Sequence, residues 1–128
     1  MRIGELAEVC DCPVETIRYY EKIGLLPPPS REPNGYRHYG RSHRQWLQFI
    51  LRSRALGFSQ HEVRRLTTMA SRSQPACADV HELLTEHVAD VRNKVRELKR
   101  MERALVRLKA KCQDGSLHDC PVIDELMS

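Results

Sequence analysis

The sequence predicts a mainly α-helical fold, in which a winged helix-turn-helix unit precedes one long helix and a short C-terminal loop and helix. Three observations support this prediction. Two short stretches with apolar residues at helical spacing meet at a break formed by Asp11-Cys12-Pro13. A run of three prolines and a Pro33-Asn34-Gly35 turn signal follow them. Residues 77–111 then contain neither glycine nor proline and repeat apolar side chains with 4-3-4-3 spacing.

The two short stretches form the predicted helix-turn-helix. The first helix carries its apolar face on Ile3, Leu6, Ala7 and Cys10. Pro13 suits the first position of the second helix, because its missing N–H needs no partner there. We expect the second helix, about residues 13–23, to be the recognition helix that enters a major groove of DNA.

The next segment predicts a wing and two further helices. Pro27-Pro28-Pro29 favours extended backbone, and the turn at residues 33–35 leads into a short strand over Tyr36–Tyr39. Helices are expected over about 41–54 and 60–69. Ser59 and Glu62 have the spacing of a capping box at the start of the second of these helices.

The long helix is predicted over residues 77–111, after a polar linker that ends at Pro75. Such a helix is roughly 50 Å long, too long for the small N-terminal unit to cover. A second copy is the expected partner, in a two-stranded coiled coil. The apolar positions are Leu84, Val88, Val91, Val95 and Leu98, continued after one skip by Met101, Leu105, Leu108 and Cys112.

Composition narrows the function classes. The 128 residues carry a net charge of +4, and residues 1–75 alone carry +5, which favours a polyanionic partner for the N-terminal half. No apolar run approaches a membrane span, and no signal peptide opens the chain, so a cytoplasmic protein is expected. No phosphate-binding glycine loop, nucleophile elbow or H-E-x-x-H motif occurs, which argues against an enzyme.

The five cysteines favour metal binding over disulfides, because cytosolic thiols stay reduced and the count is odd. Cys77 and Cys112 stand at the two ends of the long helix, and Cys120 follows after a loop. We interpret these three as ligands. Cys10 lies in the apolar register of the first helix and Cys12 at the turn, so both are expected to be structural.

Four motifs taken together resemble the MerR family of transcriptional regulators. The resemblance implies a homodimer with antiparallel long helices, bound to an operator in a long promoter spacer together with RNA polymerase. Effector binding would then distort the DNA and activate transcription. One departure is the Cys10-Asp11-Cys12 turn, where many relatives carry glycine. The motifs are Thr16-Ile17-Arg18-Tyr19-Tyr20-Glu21, Gly24-Leu25-Leu26, Gly35-Tyr36-Arg37-His38-Tyr39 and Leu56-Gly57-Phe58-Ser59.

These motifs also indicate which residues should contact double-stranded DNA. Arginine can bind a phosphate or a guanine edge, and hydroxyl groups can donate to phosphate. The alternative for the tyrosines is a partly buried, structural role, and for the arginines a solvated surface. The predicted DNA-contact residues are Thr16, Arg18 and Tyr19 on the recognition helix, Tyr36, Arg37, His38 and Tyr39 in the wing, and Arg54.

In an antiparallel dimer, Cys77 of one subunit comes beside Cys112 and Cys120 of the other. This predicts two symmetric three-thiolate sites per dimer, with one divalent ion in each. Thiolates favour the thiophilic ions Zn(II), Cd(II), Hg(II) or Pb(II). His118 is a possible fourth ligand. The arrangement is similar to the divalent-metal branch of the family, whose regulated genes encode metal resistance or efflux.

These predictions divide the chain into three functional segments. We expect residues 1–75 to form the DNA-binding domain, 76–111 the dimerisation helix, and 112–128 the metal-binding loop and a short C-terminal helix. The alternative function is a thiol-based redox sensor of the same fold, in which a cysteine is oxidised instead of metallated.

Overall fold

The computed structural model describes residues 1–72, 74, 77–112 and 120–128. His118, the loop around it and part of the predicted linker lie outside the described residues. Contacts divide the chain into two units, Met1–Glu82 and Leu83–Ser128.

The first unit opens with the predicted helix-turn-helix. Helix α1 spans Ile3–Cys10 and helix α2 spans Val14–Lys22. Asp11 joins them in the left-handed conformation, with φ 50° and ψ 54°. Aspartate tolerates this region better than most residues, because its short polar side chain can bond locally. The turn therefore forms without a glycine.

The wing is smaller than predicted. Strand β1, Ser30–Arg31, pairs antiparallel with strand β2, Arg37–His38. The predicted strand over Tyr36–Tyr39 is wrong at both ends. The Tyr36 N–H donates to the Asn34 side chain at 3.1 Å, and the Tyr39 N–H donates to the Met1 carbonyl at 2.7 Å. The Tyr36 amide is thus taken by a side chain of the hairpin's own turn, and the Tyr39 amide by a residue outside the hairpin.

Two helices complete the first unit, α3 over Arg41–Ala55 and α4 over Gln60–Ala70. The capping box is confirmed. The Glu62 N–H donates to Ser59 Oγ at 3.1 Å, and the Ser59 N–H donates to Glu62 Oε1 at 3.0 Å. The core of the unit consists of fully or almost fully buried side chains from all four helices and the segments between them: Leu6, Ile17, Leu26, Tyr39, Leu47, Ile50, Phe58 and Val63.

The long helix α5 spans Cys77–Lys111, and helix α6 spans Pro121–Met127. The predicted range of α5 is confirmed. The apolar stripe of α5 is exposed in the single chain, from Leu84 at 43% to Leu105 at 65%. Among the described residues, no helix is both long and apolar enough to cross a membrane.

Candidate nucleic-acid interface and thiol site

Helix α2 presents a polar face because its apolar residues point inward. Ile17 and Tyr20 are buried, three residues apart, so Arg18 and Tyr19 lie on the exposed side. Tyr19 is 44% exposed, and its hydroxyl donates to Gln60 Oε1 at 3.2 Å. Thr16, the third predicted contact on this helix, is half-buried.

The wing brings two arginines face to face. In the β1–β2 register Arg31 lies directly opposite Arg37. Like charges at directly opposed positions destabilise a strand pair. Of the two arginines, only Arg37 has an ion pair among the described residues, with Glu21, so the pair suits a surface that meets further negative charge.

Two adjoining hollows lie between α1, α2 and the wing, and we call them together the basic cleft. The hollows have volumes of about 330 and 710 Å³ and share Arg18, Arg31 and Arg37. Arg2 and Tyr36 line the larger one. The full set of charged lining residues is Arg2, Glu5, Glu8, Arg18, Glu21, Lys22, Arg31 and Arg37.

The Glu21 carboxylate connects α2 to the wing beside this cleft. Glu21 on α2 accepts a hydrogen bond from the Tyr39 hydroxyl and pairs with Arg37 Nη1 at 3.3 Å. Burial of Tyr39, together with its bond to Glu21, raises the pKa of the Tyr39 hydroxyl to about 12. Glu21 therefore ties the recognition helix to the wing.

Tyr39 departs from its predicted role. Its side chain is completely buried. The hydroxyl is used inside the protein, so the side chain does not face a DNA backbone. The alternative of a structural role fits Tyr39 better, because its backbone leaves the hairpin to pair with Met1 and its ring joins the core.

Of the remaining predicted contacts, Tyr36 lines the cleft, whereas His38 and Arg54 do not. Tyr36 is exposed, with the Arg2 guanidinium 4.1 Å above its ring centroid. His38 is exposed and lies 3.7 Å from Glu32 Oε1. Arg54 donates to the Phe58 carbonyl at 2.8 Å, which supports the turn between α3 and α4, and it is not among the residues lining the cleft.

Sequence reasoning missed Arg2, Lys22 and Arg31. For Arg31 the turn signal was misleading by one residue, because a two-residue turn at Asn34-Gly35 would place residue 32 opposite residue 37, whereas the structure places Arg31 there. Lys22 follows from helical spacing, since it lies four residues after Arg18. No sequence pattern indicated Arg2, because its position depends on stacking against Tyr36.

The thiols of the second unit lie at the end of α5 and the start of α6. Cys112 follows the last residue of α5 and is exposed, and Cys120 is half-buried at the N-cap of α6. Lys111 Nζ donates to Glu125 Oε2 at 2.8 Å, which holds α6 to the end of α5. This hydrogen bond and the charge of Lys111 lower the pKa of Glu125.

The other three cysteines belong to the first unit. Cys77 is the first residue of α5 and is exposed. Cys12 is buried, as a structural role requires, and burial raises the pKa of both the Cys10 and Cys12 thiols. Raised pKa values disfavour the thiolate, so this pair is poorly suited to oxidation or metal binding. All five cysteines fall within the described residues, and none is in a disulfide.

Helix α5 separates its charges along its length. Residues 77–91 contain four acidic and no Lys or Arg residues, whereas residues 92–111 contain nine Lys or Arg and two Glu residues. The net charges are therefore −4 and +7. Reversing the direction of a second copy places opposite charges side by side along the apolar stripe, whereas a parallel copy places like charges together.

Comparisons with known proteins give consistent matches over almost the whole chain. Residues 2–39 match the family described as MerR family regulatory protein, and residues 44–108 match the family described as MerR, DNA binding. The chain is 40% identical over 127 residues to the mercuric resistance operon regulatory protein of Bacillus cereus, covering 98% of this chain and 96% of that protein.

Two crystal structures are similar in fold and sequence. One is the transcription regulator PbrR691 from Ralstonia metallidurans CH34 in complex with lead(II), with a TM-score of 0.83, 40% identity and 98% of each chain covered. The other is the dual-function transcriptional regulator MerR from Bacillus megaterium MB1 in complex with mercury(II) ion, with a TM-score of 0.75, 37% identity and both chains covered completely.

Proposed function

The chain belongs to the MerR family of transcriptional regulators, and from this premise we propose that it is a homodimer that binds promoter DNA and activates transcription when it binds a thiophilic divalent metal ion. It is a regulator and not an enzyme. We assign DNA binding to residues 1–75, dimerisation to 76–111, and completion of the metal site to 112–128.

The basic cleft carries the DNA-binding proposal. Arg18 on the recognition helix and the opposed Arg31 and Arg37 in the wing line one surface, where a phosphate backbone would relieve their repulsion. Thr16, Tyr19, Tyr36 and His38 remain proposed contacts, and of these Tyr36 lines the cleft. Arg54 remains a proposed phosphate contact beyond the cleft, and the buried Tyr39 side chain is left out.

Two features of α5 support an antiparallel homodimer. The exposed apolar stripe needs a covering surface, and a second copy offers one of the same length and spacing. The charge separation along α5 favours the antiparallel direction. Complementary charges act on orientation and partner choice more than on affinity.

The donor set supports a soft metal ion. Cys77 and Cys112 are exposed and Cys120 is half-buried, so none of the three residues is enclosed in the core. In the antiparallel dimer, Cys77 of one subunit would join Cys112 and Cys120 of the other, giving two sites. The relatives above are named for mercury or bound to lead(II) and mercury(II), and we extend the candidates to Cd(II) and Zn(II). His118 stays a possible fourth ligand.

Such a site would couple the ion to the DNA-binding units. Three thiolates are costly to gather without a cation, whereas a bound divalent ion stabilises them. The ion would then tie the end of one α5 to the head of its partner and change the angle between the two DNA-binding units. RNA polymerase is the proposed third partner at the promoter, and a cytoplasmic setting would keep the thiols reduced.

The DNA-binding half is tested with duplexes selected from a random pool by the wild-type protein. Arg18→Ala and Arg37→Ala should each weaken binding and lower the slope of log K against log[salt] by about 1, since each removes one phosphate contact. Arg103→Ala, an exposed arginine of α5, is the matched control and should leave the slope unchanged. Failure to select any duplex would contradict DNA binding.

The metal-sensing half is tested by titrating the reduced protein with Zn(II), Cd(II), Pb(II) and Hg(II). We expect thiolate-to-metal absorption that saturates at two ions per dimer and is lost in Cys77→Ser, Cys112→Ser and Cys120→Ser. Cys12→Ser, a buried thiol, is the control and should retain both ions. Activation by peroxide without metal would instead favour the redox sensor.

A further inference from the structure

Helix α4 lies outside the surface proposed to contact DNA, yet it makes two polar contacts with the recognition helix. The Tyr19 hydroxyl donates to Gln60 Oε1 at 3.2 Å. One turn further along both helices, a guanidinium N–H of Arg64 donates to the Ile23 carbonyl. Tyr19 and Ile23 are four residues apart in sequence, and so are Gln60 and Arg64. Two hydrogen bonds therefore connect α2 and α4, one helical turn apart. We call the hydrogen bond from Arg64 to Ile23 the Arg64 rung and the hydrogen bond from Tyr19 to Gln60 the Gln60 rung.

Arg64 contacts the recognition helix at its C-terminus. Ile23 is the C-cap of α2, where carbonyls lack partners within the helix and carry partial negative charge. Arg64 Nη1 also lies 3.6 Å from the position that a Cβ on Gly24 would take, and Gly24 has a φ of +79°. The guanidinium therefore caps α2 and packs against the turn that ends it.

Gln60 contacts the exposed face of the same helix. A tyrosine hydroxyl has one proton to donate, and in the protein without DNA that proton is directed at the Gln60 side chain. If Tyr19 donates to a phosphate, that bond to Gln60 must break first. Gln60 and the DNA backbone therefore compete for the same hydroxyl.

We propose that Arg64 and Gln60 are positioning residues for DNA binding. Arg64 fixes the direction of the recognition helix against α4, and Gln60 holds the Tyr19 hydroxyl until a phosphate displaces it. The proposal rests on the proposed function, because it requires that α2 bind DNA. Through these two hydrogen bonds, α4, the helix that precedes Cys77 in the chain, contacts the recognition helix directly.

The Arg64 rung is tested with the reduced full-length protein and a duplex that the wild type selects from a random pool. Affinity is measured by fluorescence anisotropy over a range of salt concentrations. Arg64→Ala should bind about tenfold more weakly, with the salt slope of the wild type, since Arg64 contacts a carbonyl and not a phosphate. Arg64→Lys should recover most of the loss.

The matched control is Arg65→Ala, which removes the same charge from the next, exposed residue of α4 and should change affinity less than about threefold. Unchanged affinity in Arg64→Ala would overturn the proposal. A slope lowered by about 1 would also overturn it, by making Arg64 a phosphate contact. If Arg64→Ala does not fold, Arg64→Met, which keeps most of the side chain but has no N–H to donate, takes its place with the same expected loss, and unchanged affinity in it would overturn the proposal.

The Gln60 rung is tested by a double-mutant cycle. Gln60→Ala should strengthen binding about two- to threefold, because the Tyr19 hydroxyl no longer has a competing acceptor. The gain should vanish in the Tyr19→Phe background. No gain, or the same gain in both backgrounds, contradicts exchange at Tyr19. Failure of the wild type to select any duplex is a different result and would contradict the proposed function itself.

Discussion

At the scale of single residues, Glu21 decides how the basic cleft is built. Its carboxylate, on a side chain that is only 11% exposed, accepts from the Tyr39 hydroxyl and pairs with Arg37. Arg37 is thus held beside the cleft while its remaining guanidinium N–H groups can donate to a phosphate. A buried carboxylate with two partners is stable where a buried carboxylate with none would not be.

Removing the Tyr39 hydroxyl should therefore weaken the fold without removing charge from the cleft. We expect Tyr39→Phe to lower the free energy of unfolding at pH 7 by about 1–3 kcal/mol, as for a hydrogen bond to a charged acceptor. Urea unfolding measures this loss. Arg54→Lys, which keeps the charge and an N–H donor on an exposed side chain, is a control that should change stability less.

The same hydroxyl predicts a dependence on alkaline pH. The folded pKa of Tyr39, about 12, lies above the ordinary tyrosine value of about 10, so the unfolded chain loses this proton first. The stabilisation is complete below about pH 10 and is lost as the pH rises toward 12. The stability difference between wild type and Tyr39→Phe should shrink over that window. A difference independent of pH would contradict the raised pKa.

At the scale of secondary-structure elements, α5 is stable as a helix but leaves its apolar stripe uncovered in one chain. We expect Val95→Asp, in the middle of the stripe, to raise the dimer dissociation constant more than about 100-fold, because a carboxylate would be buried between two apolar surfaces. Val106→Asp is the matched control. Val106 is 61% exposed and lies outside the 4-3-4-3 pattern. Sedimentation velocity would show a monomer only for Val95→Asp, and dissociation of both variants would contradict the assigned stripe.

Helix α6 depends on a single described ion pair to α5. Lys111 lowers the pKa of Glu125, so this contact stabilises α6 above the ordinary glutamate pKa and is lost as the pH falls through the lowered value. Glu125→Gln should therefore speed hydrogen exchange of the α6 amides at pH 7, and its effect should diminish as the pH falls below the ordinary glutamate pKa. Asp124→Asn, on the same helix, serves as the control.

The elements also show where sequence patterns succeed. Apolar periodicity and end signals are local, so α3 and α4 were predicted to within one residue at each end, and α5 without error. The wing depends on Met1, which takes the amide that a longer strand would have used at Tyr39. The Arg64 bond to Ile23 joins residues 41 positions apart, and no local pattern encodes it. Sequence thus predicted which helices form, but not which side chains the tertiary contacts remove from the surface.

At the scale of the whole molecule, the proposed metal site is incomplete in one chain, because Cys77 and Cys112 lie at opposite ends of α5. A 35-residue helix separates them by roughly 50 Å, whereas thiolates bind one zinc ion at about 2.3 Å. Metal binding at the proposed site then requires the dimer, which a mixed dimer can test.

The test pairs a Cys77→Ser subunit with a Cys112→Ser subunit, purified as a heterodimer through two different affinity tags. One site then lacks both substituted thiols, but the other combines the intact Cys77 of the second subunit with Cys112 and Cys120 of the first. We expect one Hg(II) or Cd(II) ion with thiolate-to-metal absorption per heterodimer, where each variant homodimer binds none tightly. The control heterodimer, with Cys77→Ser and Cys112→Ser in the same subunit, should bind none, because both of its sites lack a thiol. Binding by the control but not by the mixed heterodimer would place all three ligands within one chain and reverse the proposed architecture.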